Sequence, residues 1–243
     1  MPRFFVSPDK VSDGKIVIDT DDVGHIMRAL RMKMGDILTV CDTCGNDYEA
    51  KIFAAEDGKI VCDILSSTQS ATEPYTCVTL FQALPKAQKM EYIIQKTTEL
   101  GISRIVPVKM SRCVVKWGKG DEKKIARWQK IAEAAAKQSG RGIIPELAEP
   151  VSFDEALRQL LENEIFFAPY ECEEKTKIKQ VLSGKKAKTA GFIIGSEGGF
   201  DLSEIEKIKS AGIQTVTLGK RILRTETAGE AVLSMMMYEF DEI

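Results

Sequence analysis

The sequence predicts an α/β protein in two parts, a small β-rich one followed by a larger one built on a largely parallel sheet. Three observations carry this. Up to about residue 72, apolar residues come in short β-branched runs separated by Asp-Gly, Gly-Asp and Gly-Asn turns. From residue 73 onward, strand-like runs alternate with segments whose apolar residues recur every three or four positions, as crossover helices require. Between Gly191 and Glu230, two strand ends each break into a backbone-rich loop ahead of a helix, the layout that opens a ligand crevice at the carboxyl ends of parallel strands.

In the first part, the runs Lys15–Asp19, Ile37–Asp42, Tyr48–Ala54 and Lys59–Leu65 read as strands, and their spacing suggests a small barrel. Between the first two, Asp21–Lys33 predicts one short helix that turns Ile26, Met27 and Leu30 inward. It leaves His25, Arg28, Arg31 and Lys33 to solvent, either as a solvated face or as a phosphate-contacting patch. The polar stretch Ser66–Pro74, closed by proline, marks the boundary between domains 1–72 and 73–243.

In the second part, Cys77–Leu84 reads as a strand, Lys86–Leu100 as a helix and Ile105–Val108 as the next strand. A helix is expected over Glu122–Gln138, and another over Phe153–Leu161, opened by the capping pair Ser152 and Glu155. Strand Ile165–Ala168 follows. Phe192 to Ile194 then breaks into Gly195-Ser196-Glu197-Gly198-Gly199, and Asp201 with Glu204 caps the next helix. Val216 and Leu218 close a further strand, Gly219 to Arg224 forms a loop, and Thr227 with Glu230 offers another capping pair.

The 243 residues, 44% of them hydrophobic, suffice for a real core. A net charge of -2 announces no nucleic-acid partner, although 34 lysines and arginines leave room for a local basic face. No apolar run reaches membrane length, the first residues lack a secretory pattern, and six scattered cysteines suit a reducing compartment, so a cytoplasmic protein without a membrane is expected. Cys41 and Cys44 are the one close cysteine pair; no second pair accompanies them and His25 is the lone histidine, so no metal site is expected.

Three strand-end loops are expected to converge on one ligand: Ala168, Pro169 and Glu171 from the first, Ile194, Gly195, Ser196, Gly198 and Gly199 from the second, and Leu218, Gly219, Ile222 and Leu223 from the third. The glycine loop has neither of the common phosphate-binding spacings, and Glu197 stands where an anion would sit. Such a loop fits a neutral or cationic ligand held by backbone groups, for example S-adenosylmethionine. No nucleophile stands with a base, so the chemistry left is a transferase that works by positioning, with Glu197, Arg224 and Glu226 the charged groups nearest the crevice.

The stretches IIGSEGGFDLSEI and LGKRILRTETAGEAVLSMM resemble the carboxyl-terminal signatures of the SPOUT superfamily of methyltransferases. With Arg3-Phe4-Phe5, HIMRALRMKMGD from His25, MEYIIQKTTELG from Met90, Ser111-Arg112-Cys113 and WQKIAEAAAKQSGR from Trp128, the chain is similar over nearly its whole length to the 16S ribosomal RNA uridine-N3 methyltransferase family. It departs from the family at Gly24-His25, where two adjacent histidines are common. The resemblance implies a PUA-like barrel over 1–72 that grips RNA, and a SPOUT domain over 73–243 threaded as a carboxyl-terminal trefoil knot. It further implies S-adenosylmethionine as cofactor, 16S rRNA of the small ribosomal subunit as substrate, and a homodimer. On that reading Arg3, His25, Arg28, Arg31, Lys33 and Arg141 meet RNA, and Arg141 and the helix after Thr227 lie near the partner subunit. Two other readings stay open: a non-catalytic RNA-binding or ribosome-assembly protein, and a methyltransferase of the same fold acting on tRNA or on a ribose hydroxyl.

Overall fold

The computed structural model describes residues 3–118 and 120–242. They fall into two compact units, one running to Glu73 and taking in Ala136–Ile144, the other comprising Pro74–Ala135 and Pro145 onward.

The first unit is one curled sheet. Its strands are β1 (Arg3–Phe5), β2 (Val11–Ser12), β3 (Lys15–Ile18), β4 (Ile37–Cys41), β5 (Asn46–Glu56) and β6 (Lys59–Gln69), in the order β1-β4-β5-β6-β3-β2. All pairs are antiparallel except β1 with β4. The expected barrel is left open in its hydrogen bonding, with β1 and β2 at opposite ends. Alternate residues point inward, so Ile16, Ile18, Leu38, Val40, Ile52, Ile60 and Cys62 form a core with Phe4 and Val6. Register shifts between Glu49 and Ala50 and between Ile52 and Ala54 bend the long β5–β6 pair.

Two expectations are corrected here. Ser66–Gln69, the first part of the expected boundary stretch, is strand, because its backbone pairs with Asn46–Glu49 and a ladder needs no apolar side chains on its exposed face; the units part at Glu73, within that stretch. The expected helix in Asp21–Lys33 is a short α-turn, α1 (Asp22–Gly24), followed by a π-turn over His25–Ala29, where the N–H of Leu30 donates to the carbonyl of His25 at 3.0 Å. The wider winding breaks the α-helical spacing, so Ile26 is buried while Met27 and Leu30 are exposed.

The second unit contains β7 (Cys77–Ala83), α2 (Lys89–Glu99), β8 (Arg104–Lys109), α3 (Glu122–Ser139), β9 (Glu146–Leu147), β10 (Val151–Ser152), α4 (Phe153–Leu160), β11 (Ile165–Pro169), α5 (Ile178–Leu182), β12 (Thr189–Ile194), α6 (Leu202–Ser210), β13 (Gln214–Val216) and α7 (Thr225–Glu239). Every strand pair is parallel, in the order β10-β8-β7-β12-β11-β13 with β9 beside β8. Central strands buried on both faces carry continuous apolar runs, as in Val106, Val108, Phe192 and Ile193. Phe81, Phe153, Leu157, Leu160, Phe200, Ile205 and Ile208 close the core around them. Gly191 in β12 lets α4 come close: a Cβ there would stand 2.9 Å from Leu160 Cδ1 and 2.9 Å from Asn163 Nδ2. Both predicted helix starts at Ser152 and Asp201 are formed, Ser152 Oγ accepting from the N–H of Glu155 and Asp201 from that of Ser203.

Arg141 is placed differently from its expected RNA contact. Its side chain is 4% exposed and its Nη2 lies 2.7 Å from Glu73 Oε2, inside the first unit. Glu73 also accepts the backbone N–H groups of Gly142 (2.9 Å) and Ile143 (3.1 Å), so one carboxylate fixes the whole turn after α3. Removing one partner of a buried pair leaves the other charge uncompensated. Arg141→Met is therefore expected to lower unfolding stability by about 3 kcal/mol, read as a shift in urea midpoint; a midpoint within error of the parent protein would show the pair to be dispensable.

Candidate functional site

The carboxyl ends of β11, β12 and β13 surround a cavity of about 580 Å³ in the second unit. Its walls are Pro169, Tyr170 and Glu171 after β11, Ile194 to Phe200 after β12, Thr217 to Thr225 after β13, and Lys89 at the start of α2. The three loops expected to converge do so. Of the twelve residues proposed from the sequence to hold the cofactor, Ala168 alone is absent from the wall; it is fully buried in β11, one position behind Pro169.

Local backbone geometry explains the glycines. After Ile194 the chain reverses in a turn in which the N–H of Gly199 donates to the carbonyl of Ser196 at 2.9 Å. Gly199 has φ +68°, and a Cβ there would collide with Glu171 Oε1. A Cβ at Gly195 would stand 3.1 Å from the carbonyl carbon of Gly199, backbone against backbone. Gly198 differs: its added Cβ would make ordinary contacts with Arg112 Cβ and Cδ, at 3.4 and 3.5 Å, and with Ser196 Oγ at 3.8 Å. The strict need for glycine lies at Gly195 and Gly199.

Of the charged groups expected at the crevice, Glu197 and Arg224 line the cavity, and Glu226 stands behind Lys89. Lys89 Nζ lies 3.1 Å from Glu197 Oε1 and 3.2 Å from Glu226 Oε2. Glu197 Oε1 also accepts the backbone N–H of Lys86 at 3.0 Å, just ahead of α2. Burial pushes the Glu197 carboxyl up, but the Lys86 N–H, its own backbone N–H and the Lys89 ammonium outweigh it and hold the group below the ordinary glutamate value. Burial likewise works against the Lys89 ammonium, yet the two carboxylates raise its pKa above the ordinary lysine value. A carboxylate so stabilised is a weak proton acceptor.

Behind the loop lies a buried chain of hydrogen bonds. Gln82 Nε2, at the end of β7, donates to Thr225 Oγ1 at 2.9 Å, and Thr225 Oγ1 donates to the carbonyl of Gly195 at 2.7 Å. Thr225 opens α7, so the capping pair expected at Thr227 and Glu230 is not the helix start: Thr227 sits inside the first turn, and Arg224 holds the cap position without a side-chain bond. Lys89, Gln82 and Thr225 were absent from the sequence-based site. The signal for the first two was available, because Cys77–Leu84 is a strand of the same alternation and its end belongs with the other strand ends. Nothing in the sequence pairs Gln82 with Thr225.

The wall of the pocket also depends on Glu173, whose Oε2 accepts from Thr215 Oγ1 (2.7 Å) and whose Oε1 accepts from the N–H groups of Lys175 (2.9 Å) and Thr176 (3.1 Å). The Thr215 hydroxyl and these two amides pull its carboxyl down to about 2. This clamps the loop after β11 to β13.

The residues expected to meet RNA all belong to the first unit. His25, Arg28, Arg31 and Lys33 are exposed. Arg3 is tied to Asp47 through two bonds, Nη1 to Oδ1 at 3.1 Å and Nη2 to Oδ2 at 3.0 Å, with its side chain 18% exposed. A guanidinium held in that fork has little left for phosphate.

The cavity fits S-adenosylmethionine. Its wall includes the glycine loop Gly195 to Gly199, Leu218, Ile222 and Leu223 supply apolar surface, and two glycines stand where a Cβ would crowd the turn. Among the described residues no helix is long and apolar enough to cross a membrane. Residues 72–237 match the model of an RNA methyltransferase domain, and residues 18–65 that of an RNA methyltransferase PUA domain. The chain is 33% identical over 248 residues to the ribosomal RNA small subunit methyltransferase E of Bacillus subtilis, covering 98% of this chain and 97% of the relative. Its structure is similar to the crystal structure of ribosomal RNA small subunit methyltransferase E from Neisseria gonorrhoeae bound to S-adenosyl methionine, with TM-score 0.87, 31% identity and coverage of 98% and 97%. A Legionella pneumophila methyltransferase in complex with S-adenosylmethionine gives TM-score 0.86 at 30% identity, again over 98% and 97% of the two chains.

Two outcomes are expected from this geometry. Gly199→Ala should weaken S-adenosylmethionine binding at least about tenfold, since an αL alanine costs on the order of 1–3 kcal/mol and relieving it shifts the turn that lines the cavity, whereas Gly198→Ala should stay within about threefold; calorimetry that ranks them the other way would refute the assignment of the tight turn. The Glu173 clamp contributes its stability in full above the unfolded glutamate value of 4.5 and loses it as pH falls toward 2. Glu173→Gln should therefore flatten the acid limb of a circular-dichroism titration between those values, and an unchanged limb would exclude the clamp.

Proposed function

This chain belongs to the ribosomal RNA small subunit methyltransferase E family, and from that premise we propose that it places a methyl group on N3 of a uridine in 16S rRNA. It is an S-adenosylmethionine-dependent 16S rRNA methyltransferase. The observation that carries the finer reading is the composition of the cavity: the glycine loop and apolar groups for the cofactor, and Arg224 as a cation on the wall at the amino end of α7.

When bound, S-adenosylmethionine supplies an electrophilic methyl group, its sulfur keeping the electron pair of the bond that breaks. The acceptor nitrogen must lose its imide proton, and negative charge then spreads to the uracil oxygens. Arg224 and the amino end of the 15-residue helix α7 supply the positive potential that favours this state. Glu197, low in pKa and paired with Lys89, holds the wall instead of taking the proton, which leaves to solvent. Because a paired uridine hides N3, the target is unpaired or flipped out.

The same reading takes in three finer points. His25, Arg28, Arg31 and Lys33 of the first unit hold RNA phosphates. The carboxyl-terminal part is threaded as a trefoil knot; the chain runs from β11 to β12 on one side, to β13 on the other, and returns through α7 to Gly195, which supports that path. The protein works as a cytoplasmic homodimer, supported by the apolar residues that α7 and α2 leave exposed, Met235, Tyr238 and Tyr92.

Incubation with labelled S-adenosylmethionine and either small-subunit particles or free 16S RNA, followed by nucleoside analysis, is expected to yield N3-methyluridine. Label found only on tRNA or on a ribose hydroxyl, or none on any RNA, would overturn the reading. Arg224→Met is expected to cut single-turnover methylation by about 10²-fold while cofactor affinity stays within about threefold; equal losses in both would make Arg224 a cofactor-binding group only.

A further inference from the structure

The sequence between Ser111 and Lys124 holds Arg112, Lys116, Lys119, Lys123 and Lys124 against Asp121 and Glu122, in a chain whose net charge is -2. The segment leaves the carboxyl end of β8, the end of the sheet on which the cavity lies. Two bonds seat its start beside that cavity. Buried Glu204 accepts the N–H of Ser111 at 2.8 Å, and Arg112 Nη1 donates at 2.8 Å to the carbonyl of Gly198, a residue of the cavity wall.

Both acids of the segment are engaged locally. Asp121 pairs with Lys124 at 2.8 Å and accepts the N–H of Gly118 at 3.0 Å, and Glu122 accepts the N–H of Gly120 at 2.9 Å. Trp117 rests on buried Trp128 with ring centroids 5.7 Å apart, and Lys124 Nζ lies 5.7 Å from the Trp117 ring centre. The loop is thus anchored at its base and near its tip, while Lys116 and Lys123 are exposed with no ion-pair partner among the described residues. Unpaired ammonium groups on an anchored loop and on the first turn of α3, in a segment whose start is bonded to the cavity wall, match a polyanion whose reactive base enters that cavity.

We propose that this segment of the second unit is an RNA-binding surface, with Lys116 and Lys123 contacting phosphates that flank the methylated nucleotide. The proposal rests on the reading that the substrate is RNA, and it adds to the first unit's cations a grip on the catalytic unit itself. Each phosphate neutralised adds about 0.7 to 0.9 to the steepness with which affinity falls with salt.

The test compares the full-length protein with Lys116→Gln/Lys123→Gln, and with a control pair of exposed lysines, Lys179→Gln/Lys185→Gln. Binding to transcribed 16S rRNA is measured across potassium chloride concentrations, and S-adenosylmethionine affinity by calorimetry. The test pair is expected to lose affinity at least about fivefold near 0.1 M salt and to flatten the log–log salt slope by about 1.5, with cofactor affinity unchanged and the control pair like the parent. A slope and affinity equal to the parent, or an equal loss in the control pair, would overturn the proposal while leaving the methyltransferase reading intact. If cofactor affinity also falls, the single variants Lys116→Gln and Lys123→Gln decide, each expected to lower the slope by about 0.8; unchanged slopes in both would refute it. A parent protein that binds no RNA would overturn both.

Discussion

The Thr225 hydroxyl is the point on which the second unit's site depends. It accepts from Gln82 at the end of β7 and donates to Gly195 at the end of β12, and it begins α7. Gln82 is fully buried and Thr225 is 5% exposed, so water is not an alternative partner. A hydrogen bond of this kind contributes only about 1 kcal/mol net, but leaving its groups unpaired in the interior costs about 1–3 kcal/mol each. The glycine loop, the central strand and the last helix are therefore held in one arrangement, and the cavity is the space that arrangement leaves.

Around that frame, charge is used sparingly. Lys89 joins the start of α2 to the glycine loop and α7 through Glu197 and Glu226, so the two acidic groups expected nearest the crevice share one ammonium. Glu173 does similar work on the opposite wall, joining the loop after β11 to Thr215 of β13. The cavity wall combines the glycine loop, the apolar Leu218, Ile222 and Leu223, and the cations of the loop Lys220 to Arg224. Such a site suits a ligand that brings its own positive sulfur and an acceptor that becomes negative during reaction.

Much of this was legible in the chain. The strand-like runs at Ile37, Tyr48, Lys59, Cys77, Ile165 and Phe192 all became strands, because a buried or half-buried strand advertises itself in its own apolar pattern. The turn at Gly195–Gly199 was visible because only glycine tolerates such close backbone approach. What failed was local inference where a neighbour decided the outcome. Ser66–Gln69 looks like a linker but is paired by β5; Met27 and Leu30 look like core residues but are turned outward by a π-turn; Thr227 looks like a cap, yet the helix begins at Thr225 because Gly195 offers that hydroxyl a partner.

The sequence by itself determined the strand and helix alternation, the loops that meet at the carboxyl ends of the sheet and the absence of a phosphate-type spacing, since each is written in residues adjacent in the chain. Only the tertiary structure decided how the charged and buried polar groups pair. Arg3 with Asp47, Arg141 with Glu73, Lys89 with Glu197 and Glu226, and Gln82 with Thr225 all join residues far apart in sequence. An ionisable side chain becomes anchor, wall or free contact according to what burial and a distant partner leave it, and that is set by packing.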